Sequence, residues 1–104
     1  MSIDQEVRES VCDLVEIDYV MMSDIIGALV NVGGVSADRQ ISRAGEIAAQ
    51  LVREGKITPG ELRRGVFQAW EGSREEMASR IERETREYEE TGRDVDLGDI
   101  AWFA

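Results

Sequence analysis

Carboxylates are the side chains of this sequence with the greatest capacity for chemistry. The chain has 22 aspartates and glutamates, 12 lysines and arginines, a net charge of −10 and no histidine. Two carboxylates act as general acid and general base when a cleft desolvates them and moves their pKa values apart. With 22 acids in 104 residues some lie close together by chance, and surface acids without histidine beside them are seldom such a pair. We therefore predict that the chain is not an enzyme and uses no cofactor.

The other reactive residue types lack their usual companions. Cys12 is the only cysteine, and without histidine its thiol lacks the commonest activating base and the commonest zinc co-ligand. Gly33-Gly34 lacks the spaced glycines and the lysine of a phosphate-binding loop. Asp94, Asp96 and Asp99 lack the central glycine and the closing glutamate of a calcium loop. We predict no metal site, and a half-buried Cys12 on the first helix.

The sequence predicts a cytoplasmic location. Its apolar runs, such as Tyr19 to Met22, are much shorter than the roughly 18 to 20 residues of a membrane span. Asp4, Glu6 and Glu9 occupy the segment where a secretion signal is neutral or positive. A lone cysteine is typical of a reducing compartment.

Negative charge is concentrated in the first part of the sequence. Residues 1–24 contain seven acids and one base, whereas residues 25–54 contain three of each. Such a surface repels phosphate backbones and attracts basic proteins, with complementary charge setting encounter rate and specificity. Two interpretations remain open: a solvated helix face, or a docking patch for a basic protein. The candidate partner-binding residues are Asp4, Glu6, Glu9, Asp13, Glu16 and Asp18.

An amphipathic helix over 3–17 is expected to position these acids. Asp4 and Glu6 fall in its first turn, where the helix dipole favours negative charge. Its apolar stripe at helical spacing comprises Ile3, Val7, Val11, Leu14 and Val15.

A short extended segment and a second helix follow. Residues 19–22 are β-prone or apolar and too few for a helix of their own. Ser23 is a favourable N-cap for a helix over 23–32 that ends at Gly33-Gly34. The side chains expected to face inward are those of Ile25, Ile26, Leu29 and Val30.

The third helix has the clearest amphipathic pattern of the chain. Ser36 is a capping candidate for a helix over 36–54, and Gly55 stands where a helix C-terminus favours glycine. The apolar stripe comprises Ile41, Ala44, Ile47, Ala48, Leu51 and Val52.

The segment 56–70 supports two structures. Thr58-Pro59-Gly60-Glu61 is a capping box with proline at the first helical position, which favours a short helix. Its glycines interrupt such a helix, and Val66 to Trp70 is β-rich after the polar turn Arg63-Arg64-Gly65. We favour a small antiparallel hairpin, and the helix remains the alternative.

A last helix and a tail occupy the remaining residues. Ser73 and Glu76 form a capping box for a helix that runs to Glu90 and ends at Thr91-Gly92. Charges of both signs cover all but a narrow apolar stripe, so this helix should dock by one edge. The tail is too apolar to remain free, so we expect it to fold back onto the core. Its apolar residues are Val95, Leu97, Ile100, Trp102 and Phe103.

This order of elements resembles a winged-helix domain. The matching helix, strand, helix, longer helix and hairpin are 3–17, 19–22, 23–32, 36–54 and 56–70. The phrase Leu51-Val52-Arg53-Glu54-Gly55-Lys56-Ile57 looks like the step from a recognition helix into a wing. We expect a single domain over 1–104 that is mostly α with a small β hairpin. A winged-helix-like core at 1–72 would carry a C-terminal helix and folded-back tail at 73–104.

A second resemblance concerns the tail. The phrase Asp96-Leu97-Gly98-Asp99-Ile100-Ala101-Trp102-Phe103 resembles the ends of small acidic bacterial proteins, some suspected of being immunity proteins against toxins. The resemblance implies a non-enzymatic, acidic protein-binding module that neutralises a basic toxin domain.

The alternative function is a winged-helix transcription regulator that binds DNA through residues 36–54. Reading duplex DNA requires several Lys and Arg side chains on phosphates. Arg39, Arg43 and Arg53 are available, but they are interspersed with Asp38, Glu46 and Glu54. This mixture argues against nucleic acid, and the net charge of −10 favours a basic protein partner. We expect no membrane partner, and the oligomeric state is left open.

Overall fold

Four helices and a small antiparallel sheet build the fold of residues 2–104, the part of the chain that the computed structural model describes. The predicted class, mostly α with a small β component, is confirmed. The helices are α1 (Ile3–Ile17), α2 (Met22–Val32), α3 (Gln40–Arg53) and α4 (Arg74–Glu90). The strands are β1 (Val20–Met21), β2 (Pro59–Arg63), β3 (Val66–Ala69) and β4 (Trp102–Phe103), and a 3-10 turn covers Ala37–Arg39.

α1 follows the predicted pattern. The Gln5 N–H donates to Ser2 Oγ at 3.2 Å, which caps the helix. Val7 and Val11 are fully buried, whereas Leu14 at the edge of the stripe is 40% exposed. Cys12 is half-buried on the flank of the helix, as predicted.

α2 begins one residue earlier than predicted, and Ser23 is not its N-cap. Met21 holds that position, and its N–H donates to Asp24 Oδ2 at 2.9 Å. Met21 is also the last residue of β1, so the strand leads directly into the helix. The N–H of Met22, the first helical residue, donates to Ala101 O. The prediction that Val30 faces inward is wrong, since this side chain is 48% exposed.

α3 is the central helix of the core. It begins at Gln40, a turn later than predicted, because Ser36 precedes the 3-10 turn and makes no side-chain capping bond. It packs against α1, α2 and α4. The buried apolar residues of the chain, the first of them Val7 and the last Phe103, form one cluster around it. Its own buried residues are Ala44, Gly45, Ile47, Ala48, Ala49, Leu51 and Val52.

α3 and α4 approach closely at Gly45 and Thr85. A Cβ atom on Gly45 would overlap the Thr85 side chain. Thr85 is fully buried, but its Oγ1 donates to Ile81 O at 2.8 Å, so the hydroxyl is satisfied within α4. Glycine at position 45 therefore sets the distance between the two helices.

Substituting Gly45→Ala should destabilise the protein. Overpacking of a core costs about 1–3 kcal/mol, and the gain in helix propensity offsets only part of it. Gly27→Ala is the matched control, because Gly27 lies in α2 with open space around its Cα and should gain about 0.5–1 kcal/mol. Urea denaturation of the wild type and the two variants measures whether Gly45→Ala lowers the free energy of unfolding and Gly27→Ala raises it. An alanine at position 45 that left stability unchanged would show that the helices are not in close contact there.

The C-terminal tail supplies a central strand of the sheet. The strand order is β1-β4-β2-β3, with every neighbouring pair antiparallel. Phe103 is fully buried and is in register with both Val20 and Pro59. The prediction that the tail folds back is confirmed, although Leu97 is 79% exposed and takes no part in the core. The sequence did not predict that the tail would join β1 to the hairpin.

The segment 56–70 forms the hairpin, and the alternative helix is wrong. Arg64 and Gly65 both have positive φ, 53° and 77°, as a two-residue hairpin turn requires. Thr58 is instead paired with the tail, since its backbone exchanges two hydrogen bonds with Ala104, at 2.8 and 2.9 Å. β2 therefore pairs with β3 on one side and with the tail on the other.

α4 follows the predicted capping box. The Glu76 N–H donates to Ser73 Oγ at 3.1 Å, and the Ser73 N–H donates back to Glu76 Oε1. Ala78, Ile81 and Thr85 form its narrow buried edge.

Candidate functional site

Four of the six candidate acids form one stripe along α1. Glu6, Glu9, Asp13 and Glu16 repeat at intervals of three and four residues, so they share the side of the helix away from the buried valines. All four are exposed, and we call them the acidic face. A fifth, Asp18, is also exposed just beyond the helix, where its Oδ1 accepts the Tyr19 N–H at 2.7 Å.

Asp4 does not lie with the other five. Its two carboxylate oxygens accept hydrogen bonds from Arg43 Nη2 at 2.7 and 2.8 Å. Arg43 Nη1 donates to Glu46 Oε2 at 3.3 Å, so Asp4 belongs to a cluster that ties α1 to α3. Its role in the structure is to join two helices.

The acidic face and Asp18 have no basic partner within residues 2–104, for none of the ion pairs there involves them. Glu9 accepts one hydrogen bond from Gln5 Nε2, at 3.2 Å. Their negative charge is therefore directed to solvent.

Three arginines, on α1, α3 and α4, are engaged in other contacts. Arg8, the one base among residues 1–24, donates to both carboxylate oxygens of Glu54 at 2.6 and 3.0 Å. Arg53 donates to Glu75 at 2.7 and 3.1 Å and also pairs with Glu82, which links α3 to α4. Arg80 lies 3.7 Å above the ring of the half-buried Trp70. These bases connect elements of the fold and leave the acidic face without compensation.

The Arg8–Glu54 pair changes the titration of its carboxyl group. Hydrogen bonds from Arg8 and from Gln50 lower the pKa of Glu54 to about 2. The same contact raises the pKa of Arg8. Between α3 and α4, the hydrogen bonds from Arg53 lower the pKa of Glu75.

The stability contributed by Glu54 should disappear in acid. Its pKa is lower in the folded state than in the unfolded chain, where it is about 4.3. The contribution is therefore complete above that value and is lost as pH falls toward about 2. Thermal unfolding should show Glu54→Gln below wild type in Tm at pH 7, with the difference shrinking between pH 5 and pH 2.5. Glu90→Gln, at an exposed position outside the ion pairs, is the control; an equal Tm difference at both ends of the range would contradict the assignment.

Sequence reasoning missed a groove between α1 and α2 that adjoins the acidic face. It is open to solvent, has a volume of about 920 Å³ and includes Glu6, Asp13, Ile17 and Tyr19 in its lining. One signal of the groove was present in the sequence, because Ile17 is an apolar residue between two acids at the end of a helix. In the structure its side chain is 83% exposed.

Metal-binding geometry and a membrane-crossing helix are both absent from residues 2–104. No three Asp, Glu, Cys or His side chains of that range are grouped as metal ligands would be. Asp96 and Asp99 instead close a local turn, in which the Asp96 N–H donates to Asp99 Oδ2 at 3.0 Å. None of the helices there combines the length and the apolar character needed to cross a bilayer.

The helix of the alternative DNA-binding function is largely covered. α4 packs along α3, and both Arg43 and Arg53 are held in ion pairs. Arg39 is exposed and forms no ion pair with the residues that the structure describes.

Comparisons of the chain with protein-family models, with curated proteins and with solved structures found no match. The elements from α1 to β3 occur in the predicted order, while β1 is hydrogen-bonded to β4 rather than to the hairpin. The winged-helix and immunity-protein resemblances stay predictions.

Proposed function

We propose that this chain is a non-enzymatic protein-binding module that docks a basic protein on the acidic face of α1. The observation that carries the proposal is the exposure of Glu6, Glu9, Asp13 and Glu16 on one side of a well-formed helix, with no base of residues 2–104 paired to them. Asp18 extends the same charge beyond the helix end. Asp4 is left out of the proposed site because Arg43 engages it.

The spacing of the carboxylates suits recognition of an extended basic surface. From Glu6 to Glu16 the stripe spans about 15 Å at the rise of an α-helix. Neighbouring carboxylates are about 5 Å apart along the helix axis, within the Debye length of about 8 Å at physiological salt, so their fields add along the stripe. A partner therefore needs several Lys or Arg side chains in a row, and binding should weaken as salt increases.

The partner class that we propose is a basic toxin domain, with this chain as its immunity protein. A toxin that acts on nucleic acid needs a basic surface to hold phosphates. A row of carboxylates on a folded helix could cover that surface and compete with the phosphates. The net charge of −10 supports the same partner class.

Neutralising the acidic face should weaken this complex. The variant combines Glu6→Gln, Glu9→Gln, Asp13→Asn and Glu16→Gln. The matched control neutralises four exposed acids elsewhere, at Glu71, Glu87, Glu90 and Asp94. Titration calorimetry against the protein encoded beside this chain, at 50 and 300 mM salt, measures both. Exposed ion pairs contribute up to about 1 kcal/mol each, so the first variant should lose roughly tenfold or more in affinity.

The control variant separates local docking from a general effect of net charge. Both variants change the charge equally, so equal losses would overturn the proposed docking face. The DNA-binding alternative is tested with duplex DNA from the chain's own promoter. Tight, salt-sensitive binding of that DNA, abolished by Arg39→Glu with Arg43→Glu, would favour the regulator instead.

A further inference from the structure

The groove between α1 and α2 combines exposed apolar side chains with negative charge. Ile17 is 83% exposed, Tyr19 41% and Leu14 40%, and all three line the groove. A single exposed apolar residue is ordinary, but three neighbours in one concave surface are characteristic of a binding site.

The charge around these apolar residues has one sign. Glu6, Asp13, Asp18 and Asp24 belong to the groove lining, and no Lys or Arg of the described residues does. An apolar strip bordered by carboxylates is complementary to an apolar strip bordered by cations. The groove is thus matched to an amphipathic and basic segment.

The wall formed by α2 favours a helical occupant. Its side toward the groove carries Ser23, Gly27 and Ala28, and a Cβ atom on Gly27 would meet nothing within 4 Å. Small residues on a helix let a second helix approach closely and place its larger side chains in the gap. The nearby edge strand β1 has two residues, too few to pair with an added strand along the groove.

We infer that the groove binds an amphipathic, cationic helix of the partner, with apolar residues packed on Leu14, Ile17 and Tyr19. Its Lys and Arg side chains face Glu6, Asp13, Asp18 and Asp24. This inference rests on the proposed function and adds the form of the partner segment. It also divides the acidic face into two parts, because Glu6 and Asp13 line the groove whereas Glu9 and Glu16 do not.

The inference is tested with a synthetic helical peptide and its scrambled form. An 18-residue fluorescein-labelled peptide of Leu and Lys carries its leucines at helical spacing, and the scrambled peptide has the same composition and charge. Fluorescence anisotropy with the full chain in 150 mM salt measures both affinities. The patterned peptide should bind at least tenfold more tightly, because only it presents an apolar strip.

Two substitutions in the groove should weaken the patterned peptide by about tenfold each. Ile17→Ser removes the most exposed apolar contact, and Gly27→Tyr fills the groove at a position where a side chain meets no neighbour. Val66→Ser, at a 60% exposed position on the hairpin, is the control and should stay within about twofold of wild type. Circular dichroism verifies that every variant is folded.

The failures of the two proposals differ. If both peptides bind equally and lose affinity equally on Glu9→Gln with Glu16→Gln, the groove inference is overturned and charge docking on α1 stands. If neither peptide binds, the inference is also overturned, and the complex with the neighbouring protein tests the proposed function by itself. A dimer in sedimentation analysis that Gly27→Tyr disrupts would overturn it too, since the occupant would then be a second copy of the chain.

Discussion

Three arginines of this acidic chain form ion pairs between its helices, and the charge left on the surface of α1 depends on where those arginines are used. Arg8 and Arg43 tie α1 to α3, and Arg53 ties α3 to α4. Exposed ion pairs of this kind add little stability individually. Their larger effect is on the electrostatic field of the surface. Because these arginines pair with other acids, the carboxylates on the outer side of α1 have no neutralising cation. The excess of acids over bases in the chain thus appears on the surface as a row of unpaired carboxylates on one helix.

Local patterns predicted the helices well because capping and amphipathic spacing are properties of short segments. α1 was predicted at its observed bounds, and α4 was recognised from the reciprocal bonding of Ser73 and Glu76. The stripe of exposed acids on α1 follows from the same periodicity. That Asp4 lies apart from it depends on Arg43, which is distant in sequence, so periodicity alone could not separate it from the others.

What the sequence could not predict depends on contacts between distant segments. In place of the helix favoured by Thr58 and Pro59 there is a strand that pairs with β3 on one side and with the tail on the other. The first residue of α2 is likewise bonded to a distant segment, since Ala101 accepts the Met22 N–H. The groove is a product of how α1 and α2 pack, so it has no signature within either helix beyond the isolated Ile17.

The position of β4 has a consequence for how the molecule is made. Val20 and Phe103 are neighbours in the sheet although about eighty residues separate them, and closing so long a loop is slow and entropically costly. During synthesis, β1 and the hairpin must wait, unjoined, until Phe103 has left the ribosome. Until then the core lacks the Phe103 ring, and the apolar surface and strand edges left uncovered favour aggregation of the nascent chain.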